Sequence, residues 1–153
     1  MVELAIVAPV LLILLLGVVE FGRIFEVTHA ITGISREGAN IAARGTDLDE
    51  VLDVVLDNGS SIRLRDRGGA VVTRVVVTNG TPRVVAQRSE GGYLQGSRYG
   101  RVNEPATGLD DVPLADGQVL HAVEIFYDYD PVTPFAGMAD VVLPDRLYER
   151  ALF

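Results

Sequence analysis

The sequence predicts an α+β protein: one long N-terminal α-helix, apolar and then amphipathic, packed on a small antiparallel β-sheet head. Three observations carry this. No charged or hydrogen-bonding side chain interrupts Leu4 to Val19. Beyond Glu20, apolar residues recur at three- and four-residue spacing (Ile24, Val27, Ile31, Ile34, Gly38, Ile41), the period of a helix with one buried stripe. From Ile62 the period shortens to two, and β-branched residues crowd the stretch from Ala70 to Thr78.

The apolar run comes first. Sixteen helical residues at 1.5 Å each span about 24 Å, and their flanks extend this towards the ~30 Å of a bilayer core. A helix apolar on every side has no solvent-facing stripe, so its surroundings must be lipid or protein. Pro9 lacks an N–H and is expected to kink the segment or loosen its hydrogen bonds, which neighbours within lipid can offset. Gly17 and Gly22 remove side-chain bulk where helices would approach closely, and ordinary membrane-helix usage accounts for them equally well. Glu3 and Glu20 bracket the run. A carboxylate at the rim of an apolar segment is costly to desolvate. Glu3 therefore reads either as a headgroup-level anion favoured by the helix dipole, or as the partner of an α-amino group when helices bundle.

The run is not a secretory signal. No Lys or Arg precedes Arg23, and no small-residue cleavage site follows the apolar stretch. The cation beside the run, Arg23, lies on the head side, against the positive-inside rule for an anchored exported head. A basic leader upstream of Met1 is the expectation that resolves this.

Composition narrows the classes. The chain has 153 residues, enough for one domain with its own core. Its 13 basic residues are all arginine, and the net charge is -8, which argues against a nucleic-acid partner. The absence of cysteine excludes disulfides, thiolate metal sites and a Cys nucleophile.

The segment Val2-Glu3-Leu4-Ala5-Ile6-Val7-Ala8-Pro9-Val10, the leucine run, and Gly17-Val18-Val19-Glu20-Phe21-Gly22-Arg23 closely resemble the N-terminus of TadE-like pilins of the tight-adherence (type IVc) pilus systems. The resemblance continues through Ser35-Arg36-Glu37-Gly38-Ala39-Asn40-Ile41-Ala42-Ala43-Arg44. It returns at Val123-Glu124-Ile125-Phe126-Tyr127-Asp128-Tyr129-Asp130-Pro131-Val132-Thr133-Pro134. The middle of the chain hardly takes part. The resemblance implies a pilin-like fold and a structural, non-enzymatic subunit. Such a subunit is trimmed by a prepilin peptidase and handled by inner-membrane assembly machinery. It waits in the lipid bilayer of the inner membrane, then polymerises with copies of itself into an extracellular filament for attachment. Family members usually carry the acidic residue fifth after cleavage, whereas Glu3 is third here, so Met1 is not assigned as the processing point. The assembly residues this implies are Glu3, Pro9, Gly17, Glu20, Gly22, Arg36, Glu37 and Gly38, the last three as contacts between subunits or between rod and head. A low-copy minor pilin or membrane-anchored assembly factor shares the same motifs.

The chain thus divides into a membrane or filament-core segment (1–25), an amphipathic continuation with a second helix (26–58), and a β-rich head (59–153) carrying a loop insertion (89–117). Gly45 is the expected C-cap of the rod. Asp47 then opens a helix with Leu48, Val51, Leu52, Val55 and Leu56 on one face and a solvated acidic face opposite, ended by Asn58-Gly59. Ala70–Thr78 and Arg83–Arg88 form a hairpin through Asn79-Gly80-Thr81-Pro82. Ser89–Gly117, rich in Gly, Pro and Asp and bearing Tyr93 and Tyr99, is expected to be an exposed loop whose partial deletion spares the fold; in an alternative reading of the chain as a binding module it is the adhesin-like contact surface. Gln118–Tyr129 and Arg146–Phe153 supply two more strands, with a short crossing at Ala136–Val142. No catalytic constellation, cofactor motif or zinc motif is present: His29 and His121 lack triad partners. Asp128, Asp130 and Asp140 are weighed for calcium across the Pro131–Pro134 turn, a minor alternative to plain solvation.

Overall fold

The computed structural model describes residues 2–133 and 144–153, with side chains from residue 7 onward. The expected short crossing at Ala136–Val142 and the position of Asp140 lie outside the described residues.

The α+β architecture is as predicted. Helix α1 (Val2–Ala43) runs through Pro9. At 1.5 Å per residue it is about 63 Å long. It ends at Gly45, whose φ of +92° suits glycine, with the Gly45 N–H donating to the Ala42 carbonyl at 3.1 Å. Helix α2 (Leu48–Asn58) is capped by Asp47, whose carboxylate accepts from the Asp49 N–H at 2.9 Å. Leu48, Val51, Leu52, Val55 and Leu56 are buried, the face the sequence marks.

Its acidic face is not merely solvated. Asp49 pairs with Arg88 at 2.8 Å, and Asp53 and Asp57 pair with Arg65 at 3.3 and 3.1 Å. Arg65 reaches Glu90 as well, tying α2 to the far strand. Such exposed pairs are screened by solvent and serve mainly to orient the helix.

A short 3-10 turn (Ser60–Ile62) and a one-turn helix α3 (Leu64–Arg67) follow, where the sequence suggests extended chain. Leu64 is the reason: it is wholly buried against Gly59 and Gly68, and a Cβ at either glycine would stand about 2.5 Å from its side chain. Four antiparallel strands come next: β1 (Gly68–Thr78), β2 (Thr81–Gly91), β3 (Val119–Asp128) and β4 (Arg146–Leu152), in spatial order β2-β1-β3-β4. The hairpin turn is tighter than the four residues expected. Asn79 and Gly80 alone make it, at φ of 52° and 72°, while Thr81 already pairs with Thr78. A bulge opposite Arg74 and Val75 leaves Val85 unmatched and exposed.

The rod, α2 and the sheet share one core: Val27, Ile31, Ile34 and Ala42 of α1 meet α2, Val72 of β1, and Val123 and Ile125 of β3. Gly38 permits the closest approach, since a Cβ there would lie 2.4 Å from Val55 Cγ2 and 3.4 Å from Val123 Cγ2.

The opposite face of the sheet corrects the expectation for the long loop. Tyr99 and Leu109 are 1% and 4% exposed, packed with Val75, Val84, Leu120 and Ala122 in a second core. Residues 103–106 also lie along the first part of β2: Val84 N–H donates to Glu104 O at 3.1 Å and Ala106 N–H to Pro82 O at 2.8 Å. The loop therefore closes a face and part of an edge that would otherwise be wet. With both faces covered, β3 is buried at every residue but its ends, which is why its sequence does not alternate.

Tyr99→Ala should destabilise the head by about 3 kcal/mol, through lost burial and the cavity left behind. Thermal denaturation of the full chain in detergent measures this. An unchanged midpoint would return the loop to the status of a dispensable insertion.

Candidate functional site

The boundary between the two halves of α1 is set by one residue. Below it Val7, Val10–Leu15, Val18 and Val19 are largely exposed. Above it the stripe of Val27, Ile31 and Ile34 is covered. At the boundary Glu20 is only 2% exposed, beneath the corner where the chain leaves β3. Tyr129 Oη donates to Glu20 Oε1 at 2.6 Å. The Val132 N–H donates to the same oxygen at 3.3 Å, and the Thr133 N–H to Oε2 at 3.1 Å. A carboxylate is an acceptor only, and three donors from the head make its desolvation tolerable.

The corner is itself braced. The Tyr129 N–H donates to the Asp145 carbonyl at 2.8 Å, holding together the two stretches of chain that flank the undescribed residues. Tyr127 Oη donates to Ile62 O at 2.9 Å, and Asp130 pairs with Arg67 at 3.1 Å. Burial, then the hydrogen bond to the Glu20 carboxylate, push the Tyr129 phenol well above its ordinary value. Tyr129 is therefore a fixed donor.

A second buried carboxylate serves the far face. Glu124 is 0% exposed; Oε1 accepts from the Arg98 N–H at 2.9 Å and from Tyr148 Oη at 2.9 Å, and Oε2 from Ser97 Oγ. The Arg98 guanidinium lies 3.6 Å over the Tyr148 ring. This cluster pins the long loop to β3 and β4.

The sequence-marked residues fall into separate groups. Pro9 lies within α1, and Glu3 is in the helix with its side chain outside the described set. Gly17 and Gly22 face open space: a Cβ at either would meet nothing within 4 Å. Arg36 and Glu37 are exposed beside Asn40, Arg44 and Phe153 in a shallow groove, and Glu37 accepts from Asn58 Nδ2 at 3.4 Å. Gly38 is buried under α2. Only Glu20 and Gly38 are thus built into the rod–head junction. Tyr129 and the Val132 and Thr133 amides were not singled out as its partners, although the C-terminal motif that carries the resemblance contains all three.

His121 Nε2 accepts from Arg74 Nε at 3.0 Å; burial and that guanidinium hold the imidazole below its ordinary value. No group of three or more His, Cys, Asp or Glu stands ready to hold a metal among the described residues, and Asp130 is engaged with Arg67.

Residues 1–40 match the family model described as TadE-like protein. Over that segment the chain is similar to TadE-like proteins. The family is structural rather than enzymatic, and with a helix long and apolar enough to cross a bilayer it points to a membrane-associated protein of a Tad pilus system. No curated protein and no solved structure matches the chain significantly, so the likeness to TadE-like proteins rests on this N-terminal segment.

Tyr129→Phe keeps the ring and removes the donor to a charged acceptor, so it should cost about 2 kcal/mol and speed hydrogen exchange at the Val132 and Thr133 amides. Unchanged exchange there would show that Tyr129 does not hold the corner. The alkaline limb gives a second check. The fold favours the protonated phenols of Tyr129 and Tyr148, each raised by burial and then by its carboxylate partner, Glu20 or Glu124. Their contribution is fully present below the ordinary value near 10 and is lost as pH rises through and beyond it. Denaturation midpoints should fall from about pH 10 upward, and less steeply in Tyr129→Phe.

Proposed function

We propose that this TadE-like chain is a structural pilin subunit. Its apolar N-terminal helix is held in the inner membrane and then extracted into an extracellular type IVc filament for surface attachment. The observation that carries the reading is the division of α1 at Glu20. The head covers the helix from Val27 onward and leaves Val7–Val19 bare, so the exposed part is shaped for partners outside the chain. Burying these side chains, at roughly 1.5–3 kcal/mol for each fully covered residue, represents on the order of 10 kcal/mol that water does not supply. Lipid supplies it before assembly and neighbouring helices after it.

Gly17 and Gly22, with open space around them, suit close approach of a second helix. Many copies related by one repeated contact form an open, non-closing helix. Glu3, near the start of α1, is assigned to neutralising an α-amino group in the packed bundle. A prepilin peptidase and the inner-membrane assembly machinery are the protein partners of this cycle, and no nucleic acid takes part.

Glu3→Ala should leave the chain in the membrane fraction and sharply reduce fibres in sheared surface material viewed by electron microscopy. Normal fibres from that variant would remove the pairing role of Glu3. Fibres in which the wild-type chain is a trace component would make it a minor pilin or assembly factor instead.

A further inference from the structure

At the level of the rod–head junction, a cleft of about 330 Å³ opens between α1 and the head. Arg23 and Glu26 line it from the rod, and Ser61, Arg63 and Arg67 from the head. Arg23 and Glu26 enter no ion pair among the described residues. Arg63 holds only an exposed partner, Asp66 at 3.3 Å, which exchanges easily with another anion. Arg63 also caps the 3-10 turn at φ +57°, which fixes its backbone at the rim of the cleft.

The depth of this cleft identifies what would fill it. Arg23 lies three residues, about 4.5 Å, beyond Glu20, where the apolar run ends and a bilayer would give way to headgroups. Phe21, Phe25 and Val132 are 52%, 64% and 64% exposed near the end of the apolar run, so bare apolar surface extends to the depth of the cleft. A cleft at that depth meets phospholipid headgroups, and it presents both signs of charge. Arginines fork onto phosphate oxygens, while Glu26 offers a carboxylate with room for an ammonium.

We propose that this cleft seats the headgroup of a zwitterionic phospholipid with a primary ammonium, as in phosphatidylethanolamine. Arg23 and Arg63 meet the phosphate and Glu26 the ammonium, while Arg67, held by Asp130 at 3.1 Å, forms part of the wall. The inference rests on the membrane-held stage of the proposed function. A phosphatidylglycerol headgroup leaves Glu26 facing a neutral diol. A phosphatidylcholine headgroup has no N–H to give it.

The test is native mass spectrometry of the full chain in neutral detergent with an equimolar mixture of the three lipids. Wild type should retain phosphatidylethanolamine over the others by roughly tenfold, the discrimination of one added charge-assisted contact. Glu26→Gln should erase the preference over phosphatidylglycerol while keeping lipid bound. Arg23→Gln with Arg63→Gln should lose retention of all three, and Arg83→Gln on β2 should behave as wild type. Equal retention of the three lipids by wild type, or capture of added inorganic phosphate in place of lipid, overturns the proposal. Flotation with liposomes separates the two readings. A chain that floats but shows no preference leaves the membrane reading standing and this inference overturned. A chain that does not float removes both.

Discussion

A carboxylate taken out of water costs several kcal/mol unless donors replace its hydration. Glu20 meets that demand with one phenol and two backbone amides, all from the turn after β3. Because amides at residues 132 and 133 point at a fixed place, the head cannot slide along the rod without stripping the carboxylate of its partners. The junction converts a continuous helix into two halves with different surroundings. One side of Glu20 is packed into a folded head, and the other is left exposed.

The same device recurs on the opposite face of the sheet. Glu124 gathers Ser97, the Arg98 amide and Tyr148, and so draws a long irregular segment onto β3. Both buried carboxylates pin segments that lack secondary structure of their own. Apolar packing alone is non-directional and would hold such segments in many arrangements. A charged acceptor surrounded by specific donors selects one.

Strand β3 links the two. It carries Val123 and Ile125 towards the helices, and Ala122 and Glu124 towards the loop. The sheet is thus a shared wall between the core that grips the rod and the core under the loop. Gly38 completes the first core by letting α1, α2 and β3 approach more closely than any side chain would permit.

What the sequence by itself determined is whatever depends on periodicity and local chemistry. The all-round apolar run, the stripe from Ile24 to Ile41, the Asp47 cap with its apolar face, and the β-branched run of β1 each act within a few residues, and each was legible. The N-terminal motif, being contiguous, was legible too. The tertiary structure alone decided the partners of buried polar groups. Glu20 and Tyr129 lie 109 positions apart, and Ser97 and Glu124 lie 27 apart; nothing local in either sequence window specifies the match. It also decided that a Gly- and Pro-rich loop is core, because Tyr99 and Leu109 are isolated apolar residues whose burial depends on a sheet face formed elsewhere. Leu64 made a helical turn of a stretch that looked extended, for the same reason. Contacts that arise only when distant segments meet leave no period in the chain.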